Sequence, residues 1–186
     1  MTHNPFKEDR LTTLAVRMKK GDRKAAAALY EDLLPKVYGF FFTRTGRKEI
    51  AEDLSQDIFL KLVERIESFD ENRGRFVVWF WQVARNLLID YYRGKKELTF
   101  SAFEEGVVEA MAIEEVSDLD GRMRYRKVQH FLTTLGDEEK ELFELRYVAE
   151  MSYREIAAIL GKSEGALRIA SLRIKEKIKK EFENEI

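Results

Sequence analysis

Four residues along one stretch carry chemistries that a protein core seldom needs together: Trp79, Gln82, Asn86 and Arg93. They stand at i, i+3, i+7 and i+14, so a helix over residues 75–96 places them on a single stripe. An indole offers a flat face for base stacking, Gln and Asn can hydrogen-bond base edges, and arginines neutralise phosphates. Arg85 and Tyr92 lie beside the stripe, and Arg73, Lys95 and Lys96 mark its ends. A single strand of nucleic acid, or a duplex in the act of opening, would use all three chemistries at once. The competing reading is a helix buried on two sides, with Trp79 and Trp81 in the core, because aromatic residues at helical spacing usually mean packing.

Such a stripe has to be held by a core. Phe76, Phe80, Val83, Leu87 and Tyr91 supply the apolar face of the same helix. Across the 186 residues, 45% are hydrophobic and 36% charged, a balance suited to amphipathic helices with solvated outer faces, and only two prolines interrupt them. The expected fold class is all-α: two small helical domains joined by an acidic flexible linker, the second carrying a helix-turn-helix. A formal net charge of -1 leaves nucleic-acid binding to local patches rather than to a whole-molecule field. The chain has no cysteine, which excludes disulfides, thiolate metal sites and cysteine nucleophiles. The start MTHNPFKEDR has no apolar core of a signal segment, and no run reaches the ~20 apolar residues of a membrane span. A cytoplasmic protein without membrane insertion is expected.

Taken in order, Leu11, Leu14, Ala15 and Met18 form a stripe ending at Gly21, and Asp22 is placed to cap the next helix, which Pro35 should kink or end. Val37, Phe40 and Phe41 join the same core before Gly46. In AEDLSQDIFLKLVERI, Leu54, Ile58, Leu62 and Ile66 recur every fourth residue and face inward, leaving Asp53, Gln56, Asp57, Phe59 and Val63 elsewhere. An exposed Phe59 and Val63 among carboxylates suit a protein-docking surface; the alternative is plain solvent cover on a packed helix.

Residues 97–120 then hold eight acidic side chains, Glu97, Glu104, Glu105, Glu109, Glu114, Glu115, Asp118 and Asp120, and no Lys or Arg. This linker is either a soluble tether or an acidic strand that occupies a basic channel of a partner by mimicking nucleic acid. Residues 122–186 form the second domain. Val128, Phe131, Leu132 and Leu135 make an apolar stripe, Asp137 is placed to cap the following helix, and Ser152 with Glu155 forms a capping box. Ile156, Ala157 and Leu160 should face inward, Gly161 should end that helix, and Ser163 should cap another carrying Leu167 inside and Arg168 and Arg173 outside. That is a helix-turn-helix, whose second helix would enter a major groove with Lys162, Arg168, Arg173, Lys175 and Lys177 near bases or phosphates; a structural hairpin with a merely solvated basic face is the alternative.

In this order, AEDLSQDIF, WFWQVARNLLIDYYR and SYREIAAILGKSEGALR resemble the docking helix, the minus-10 helix and the minus-35 helix-turn-helix of the extracytoplasmic-function (group IV) sigma factors of the sigma-70 family. The resemblance covers nearly the whole chain. It implies a domain at residues 1–96 for polymerase docking and minus-10 melting, a linker at 97–121, and a minus-35 domain at 122–186. It also implies that Asp53, Gln56, Asp57, Phe59 and Val63 meet the clamp helices of the polymerase largest subunit, the flap being a further contact. Minus-10 DNA would fall to Phe69, Arg73, Arg75, Trp79, Gln82, Arg85, Asn86 and Arg93, with a flipped base pocketed near Trp79 and the loop at 69–75. Minus-35 DNA would fall to Lys162, Arg168, Ile169, Leu172, Arg173 and Lys175. Core RNA polymerase, promoter DNA and an anti-sigma factor are the implied partners, with no cofactor. Ile169 and Ala170 stand where many members carry Ser, Lys or Arg, so polar base reading should be thin here, with thymine-methyl contact by Ile169 or DNA shape taking more weight. Gly136 stands where Pro is common, and the absence of a long carboxy-terminal extension points away from branches with an added sensory domain.

Two other classes are set against this. A stand-alone helix-turn-helix regulator would have no use for a stacking platform. A helical carboxylate-metal enzyme would need Glu-x-x-His pairs, yet the two histidines, His3 and His130, sit in no such spacing, and no phosphate-cradling glycine loop or nucleophile motif occurs.

Overall fold

The computed structural model describes residues 5–98, 127–128 and 130–182, and every regular element among them is helical. The chain is all-α, in two compact units, Met1–Phe41 with Glu49–Phe103 and Phe42–Lys48 with Glu104–Ile186. Of the acidic segment at 97–121, residues 99–121 lie outside the described residues, as do the side chains of residues 95–98.

The first unit is built from α1 (Pro5–Lys19), α2 (Arg23–Thr45) as far as Phe41, α3 (Lys48–Arg65) from Glu49 onward with a 3-10 turn at Ile66–Ser68, and α4 (Phe76–Leu98). Gly21 at φ 85 and Gly46 at φ 63 make the two left-handed turns that separate α1, α2 and α3, a backbone state glycine adopts without a Cβ penalty. Asp22 caps α2 by accepting from the Ala25 N–H at 3.2 Å and the Lys24 N–H at 2.9 Å. Its carboxyl is held below the ordinary range, first by the Arg17 hydrogen bond. Pro35 does not end α2, which runs on through it to Thr45. It lies on an exposed side of the helix, where its fixed φ suits helical backbone and water can serve in place of the missing donor.

Leu29, Leu33, Val37, Phe40 and Phe41 of α2 meet Ala51, Leu54, Ile58 and Leu62 of α3 and Phe76, Phe80, Trp81 and Ala84 of α4 in one buried core. Trp81 is fully buried, its ring edge-on to Phe40 at 5.3 Å and to Phe80 at 5.8 Å, the arrangement aromatic quadrupoles favour. The apolar face of α4 is thus centred on Phe76, Phe80, Trp81, Ala84, Leu87 and Leu88, while Val83 and Tyr91 are half-buried.

In the second unit, helical residues 130–134 precede α5 (Asp137–Phe143), a π-turn at Glu144–Val148, α6 (Tyr153–Leu160) and α7 (Glu164–Phe182). Phe131, Leu132 and Leu135 are buried, but Val128 is 42% exposed and leaves the expected stripe. The residue at the α5 N-cap is Gly136, not Asp137. Its extended backbone starts the helix and its N–H donates to Glu139 at 3.2 Å, so Asp137 becomes the first helical residue, where its charge still complements the helix dipole.

The capping box before α6 is formed in full: Ser152 Oγ accepts the Glu155 N–H at 3.3 Å, and the Ser152 N–H donates to Glu155 Oε2 at 2.8 Å. Replacing Ser152 by Ala is therefore expected to cost about 1 kcal/mol. Calorimetry of the full chain should record a lowered midpoint for the second unit, and an unchanged midpoint would remove the cap from the account of its stability.

Candidate nucleic-acid interface

Along α4 the two tryptophans part company. Trp81 belongs to the core, whereas Trp79 is half-buried and Gln82, Asn86 and Arg93 are exposed on its stripe. Arg85 is half-buried beside them. The indole of Trp79 packs against Phe69 and Phe76, both at 5.8 Å between ring centroids, which fixes its orientation and leaves part of its surface to solvent. Phe69, which the resemblance placed among the minus-10 contacts, is itself 2% exposed, so its ring packs within the unit. It is wedged between the Phe76 and Trp79 rings because it is the first apolar residue after the 3-10 turn and has the α4 start to pack on.

Phe69 therefore anchors the loop that follows. Lys19 Nζ donates to the Phe69 carbonyl at 2.9 Å, and Thr12 Oγ1 accepts the Phe76 N–H at 3.3 Å, so α1 holds both ends of residues 69–76. Within the loop, Asp70 accepts from the Asn72 N–H at 2.9 Å and from Asn72 Nδ2 at 3.0 Å, a side-chain turn that orders the segment. These bonds, the backbone one foremost, hold the Asp70 carboxyl below its usual range. Arg73 and Arg75 are exposed on this loop. A fixed stacking surface, two exposed amides and two exposed arginines are thus carried by α4 and the loop that leads into it.

On α3, Asp53, Gln56, Asp57 and Val63 are exposed, Val63 by 62%. Phe59 is not: it is 9% exposed, with its ring 4.6 Å from Tyr30 and 6.1 Å from Phe80. The apolar surface on this helix is made instead by Leu60, 58% exposed, together with Val63. Spacing alone could have found Leu60. It lies three residues before Val63 and four after Gln56, on the outward stripe.

In the second unit, Gly161 at φ 66 ends α6, its N–H bonded to the Ala157 carbonyl at 2.9 Å, and Ser163 Oγ accepts the Ala166 N–H at 3.2 Å to start α7. Ile156 and Ile159 of α6 and Leu167, Ser171 and Ile174 of α7 are buried, while Ala157 and Leu160, expected inside, are half-buried. The short α6 turns its deepest positions to 156 and 159, three apart. Opposite them on α7, Arg168, Ile169, Leu172, Arg173 and Lys175 are all exposed, Ile169 and Leu172 by 58% each. Lys162 pairs with Glu138 at 2.6 Å and Lys177 with Glu139 at 2.6 Å, so part of the basic charge already braces the turn and α7 against α5. The Lys177 hydrogen bond is also the main reason that the Glu139 carboxyl lies below its ordinary value. Two helices joined by a left-handed glycine, with a basic and apolar outer face on the second, have the form of a DNA-reading helix-turn-helix.

Comparison with known proteins decides the family. The model for sigma-70 region 2 matches residues 29–97 and that for sigma-70 region 4 matches residues 125–178, which together span well over half of the chain. The chain belongs to the sigma-70 family of RNA polymerase sigma factors, in its extracytoplasmic-function branch. It is 29% identical over 153 residues to the sigma factor SigM of Bacillus subtilis, covering 81% of this chain and 91% of SigM. It is 28% identical over 175 residues to SigW of the same organism, covering 89% and 93%. With BldN of Streptomyces coelicolor it shares 27% identity over 177 residues, 88% of this chain but 62% of BldN, so the match spans less than two thirds of that longer relative. Two solved structures share the fold. CnrH, in complex with the cytosolic domain of CnrY, matches with a TM-score of 0.69 at 20% identity, over 95% of this sigma factor and 99% of CnrH. RpoE of Bartonella quintana, in complex with the anti-sigma factor NepR, matches with a TM-score of 0.65 at 22% identity, over 84% and 96%. The region 2 match takes in α3 and α4, and the region 4 match takes in the helix-turn-helix.

Proposed function

We propose that this sigma factor carries no catalytic chemistry of its own and divides promoter recognition among three surfaces. The outward stripe of α3, with Asp53, Gln56, Asp57, Leu60 and Val63, docks on the clamp helices of core RNA polymerase; Phe59 supports it from the core, and the flap is a second polymerase contact. Trp79, Gln82, Arg85, Asn86 and Arg93, with Arg73 and Arg75 from the loop and Phe69 beneath them, take one minus-10 strand as the duplex opens. Arg168, Ile169, Leu172, Arg173 and Lys175 read minus-35 duplex, with Lys162 exchanging Glu138 for a phosphate. The domains run over 1–96 and 122–186, with the acidic linker of 97–121 between them, and the protein works in the cytoplasm. Among the described residues no helix is long and apolar enough to cross a membrane.

The observation that carries this reading is the division within α4 between a buried Trp81 and a half-exposed Trp79 flanked by exposed Gln82 and Asn86. A regulator that bound only duplex DNA would gain nothing from the second. An anti-sigma factor is the expected antagonist, since the RpoE structure that shares the fold is a complex with the anti-sigma factor NepR. The deciding experiment is in vitro transcription with core polymerase and fragmented genomic DNA. Discrete start sites that depend on the added chain are expected, and transcripts independent of it would overturn the proposal.

A further inference from the structure

The guanidinium carbon of Arg168 lies 4.8 Å from the ring centroid of Tyr153, and that of Arg146 lies over the same ring, also at 4.8 Å. We infer that Tyr153 is a positioning residue for DNA reading: it stacks the face of Arg168 so that the donor edge of that guanidinium is presented to the upstream duplex. This rests on the reading of α7 as the helix that meets minus-35 DNA.

The arrangement is built from the backbone outward. Tyr153 is the first residue of α6, directly after the Ser152 cap, whose three hydrogen bonds with Glu155 fix where the ring leaves the helix. Arg146 Nη1 donates to the Met151 carbonyl at 2.6 Å, which ties one cation in place over the ring. Arg168 has no comparable backbone tether. Its other contact is the Glu164 carboxylate at 3.5 Å, one turn back on α7, in a pair whose side chains are 62% and 45% exposed and which solvent and salt screen. The aromatic face is thus what singles out one rotamer of a long, exposed side chain.

Guanidinium chemistry makes the stack compatible with binding. A guanidinium stacked on a ring meets it with its π-face and keeps its N–H donors in the plane, so that those of Arg168 not turned to Glu164 stay available to phosphate or to a guanine edge. A lysine could not divide its contacts in this way, because its ammonium is a point charge with no face to stack. The ring offers no sequence readout itself; it lowers the conformational freedom that Arg168 would otherwise lose on binding DNA.

The test is a double-mutant cycle on the full chain assembled with core polymerase. The probe is the upstream duplex of a promoter recovered in the transcription experiment, cut before the segment that melts. Tyr153→Leu is expected to weaken binding about two- to five-fold, the range for a cation-π contact at an exposed site, and Tyr153→Phe to bind as the native chain. In an Arg168→Ala background the same Tyr153→Leu change should have no further effect. An equal loss in both backgrounds would assign the ring to packing alone and overturn the inference. Arg168→Lys, which leaves Tyr153 and the fold untouched, should lose about as much as Tyr153→Leu, and native affinity with lysine would overturn it independently. Arg168→Ala should also flatten the dependence of log K on log salt by about 0.9 if that residue meets a phosphate. Unchanged affinity and slope there would remove Arg168 from the DNA surface, a failure of the underlying reading that is distinct from an equal loss in the cycle.

Discussion

Trp79→Ala is expected to slow promoter opening by about 5- to 150-fold, the span that corresponds to about 1–3 kcal/mol for one base stacked on an aromatic ring. Affinity for closed upstream duplex should stay within about two-fold, because the duplex contact proposed above is made by the helix-turn-helix and involves neither α4 nor the loop before it. The ring is half-buried against Phe69 and Phe76, so some loss of stability in the first unit accompanies the change. Trp79→Phe controls for this: it keeps an aromatic face on the same two neighbours and should restore most of the opening rate. Trp81 remains as the single fluorophore of its kind in both variants and reports whether the core around Phe40 is intact. Stopped-flow measurement of opening beside equilibrium binding of duplex separates the outcomes. If both fall together and by the same factor, Trp79 is a packing residue like Trp81.

The contrast between those two residues also marks how far periodicity reaches. Helical spacing located the apolar face of α4 and the outward stripe with Gln82, Asn86 and Arg93, but the buried arc proved wider than the stripe it was drawn from, and took in Trp81, Ala84 and Leu88. A four-residue rule draws a line, whereas a helix packed against two partners buries an arc of more than a third of its circumference. Phe59 was misread for the same reason. It stands one position after Ile58, outside the Leu54, Ile58, Leu62 row, yet Tyr30 and Phe80 close over it. Nothing in the local pattern says that α2 brings a tyrosine there. Phe69 shows a related limit: the family resemblance placed it beside a flipped base, and only the tertiary placement of Phe76 and Trp79 shows that its ring also anchors the loop.

Turn chemistry was legible almost residue by residue. Gly21, Gly46 and Gly161 all take the left-handed conformation, and the Ser152 and Ser163 caps form as their sequence contexts require. Such signals depend on a few adjacent residues and so survive without knowledge of the rest of the fold. The Arg146, Tyr153 and Arg168 stack carries no such signal. Its members are seven and fifteen residues apart, and it exists because the α6 turn folds back on α7.

Leu60 and Val63 lead to the second large effect. Both are more than half exposed, on a stripe that also carries Gln56 and Asp57, and an apolar pair so presented on a folded monomer has a cost in water that a partner surface would remove. If α3 is the polymerase-docking helix, these two side chains are the desolvated centre of the contact, and Asp53, Gln56 and Asp57 form its polar rim. Truncating a central apolar anchor typically costs about 2 kcal/mol or more, and introducing charge there adds an unpaired ion to the interface. Leu60→Asp with Val63→Asp is therefore expected to raise the Kd for core polymerase at least about 30-fold. Reversing the charge of Asp53 and Asp57 should act more weakly and chiefly on the association rate, with an effect that fades as salt rises. Because neither Leu60 nor Val63 contributes to the core, the double variant should melt within a few degrees of the native chain, as surface substitutions generally do. Binding of the two chains to immobilised core polymerase, with the melting midpoints measured alongside, tests the assignment: native affinity in a folded double variant would place the polymerase contact on another face.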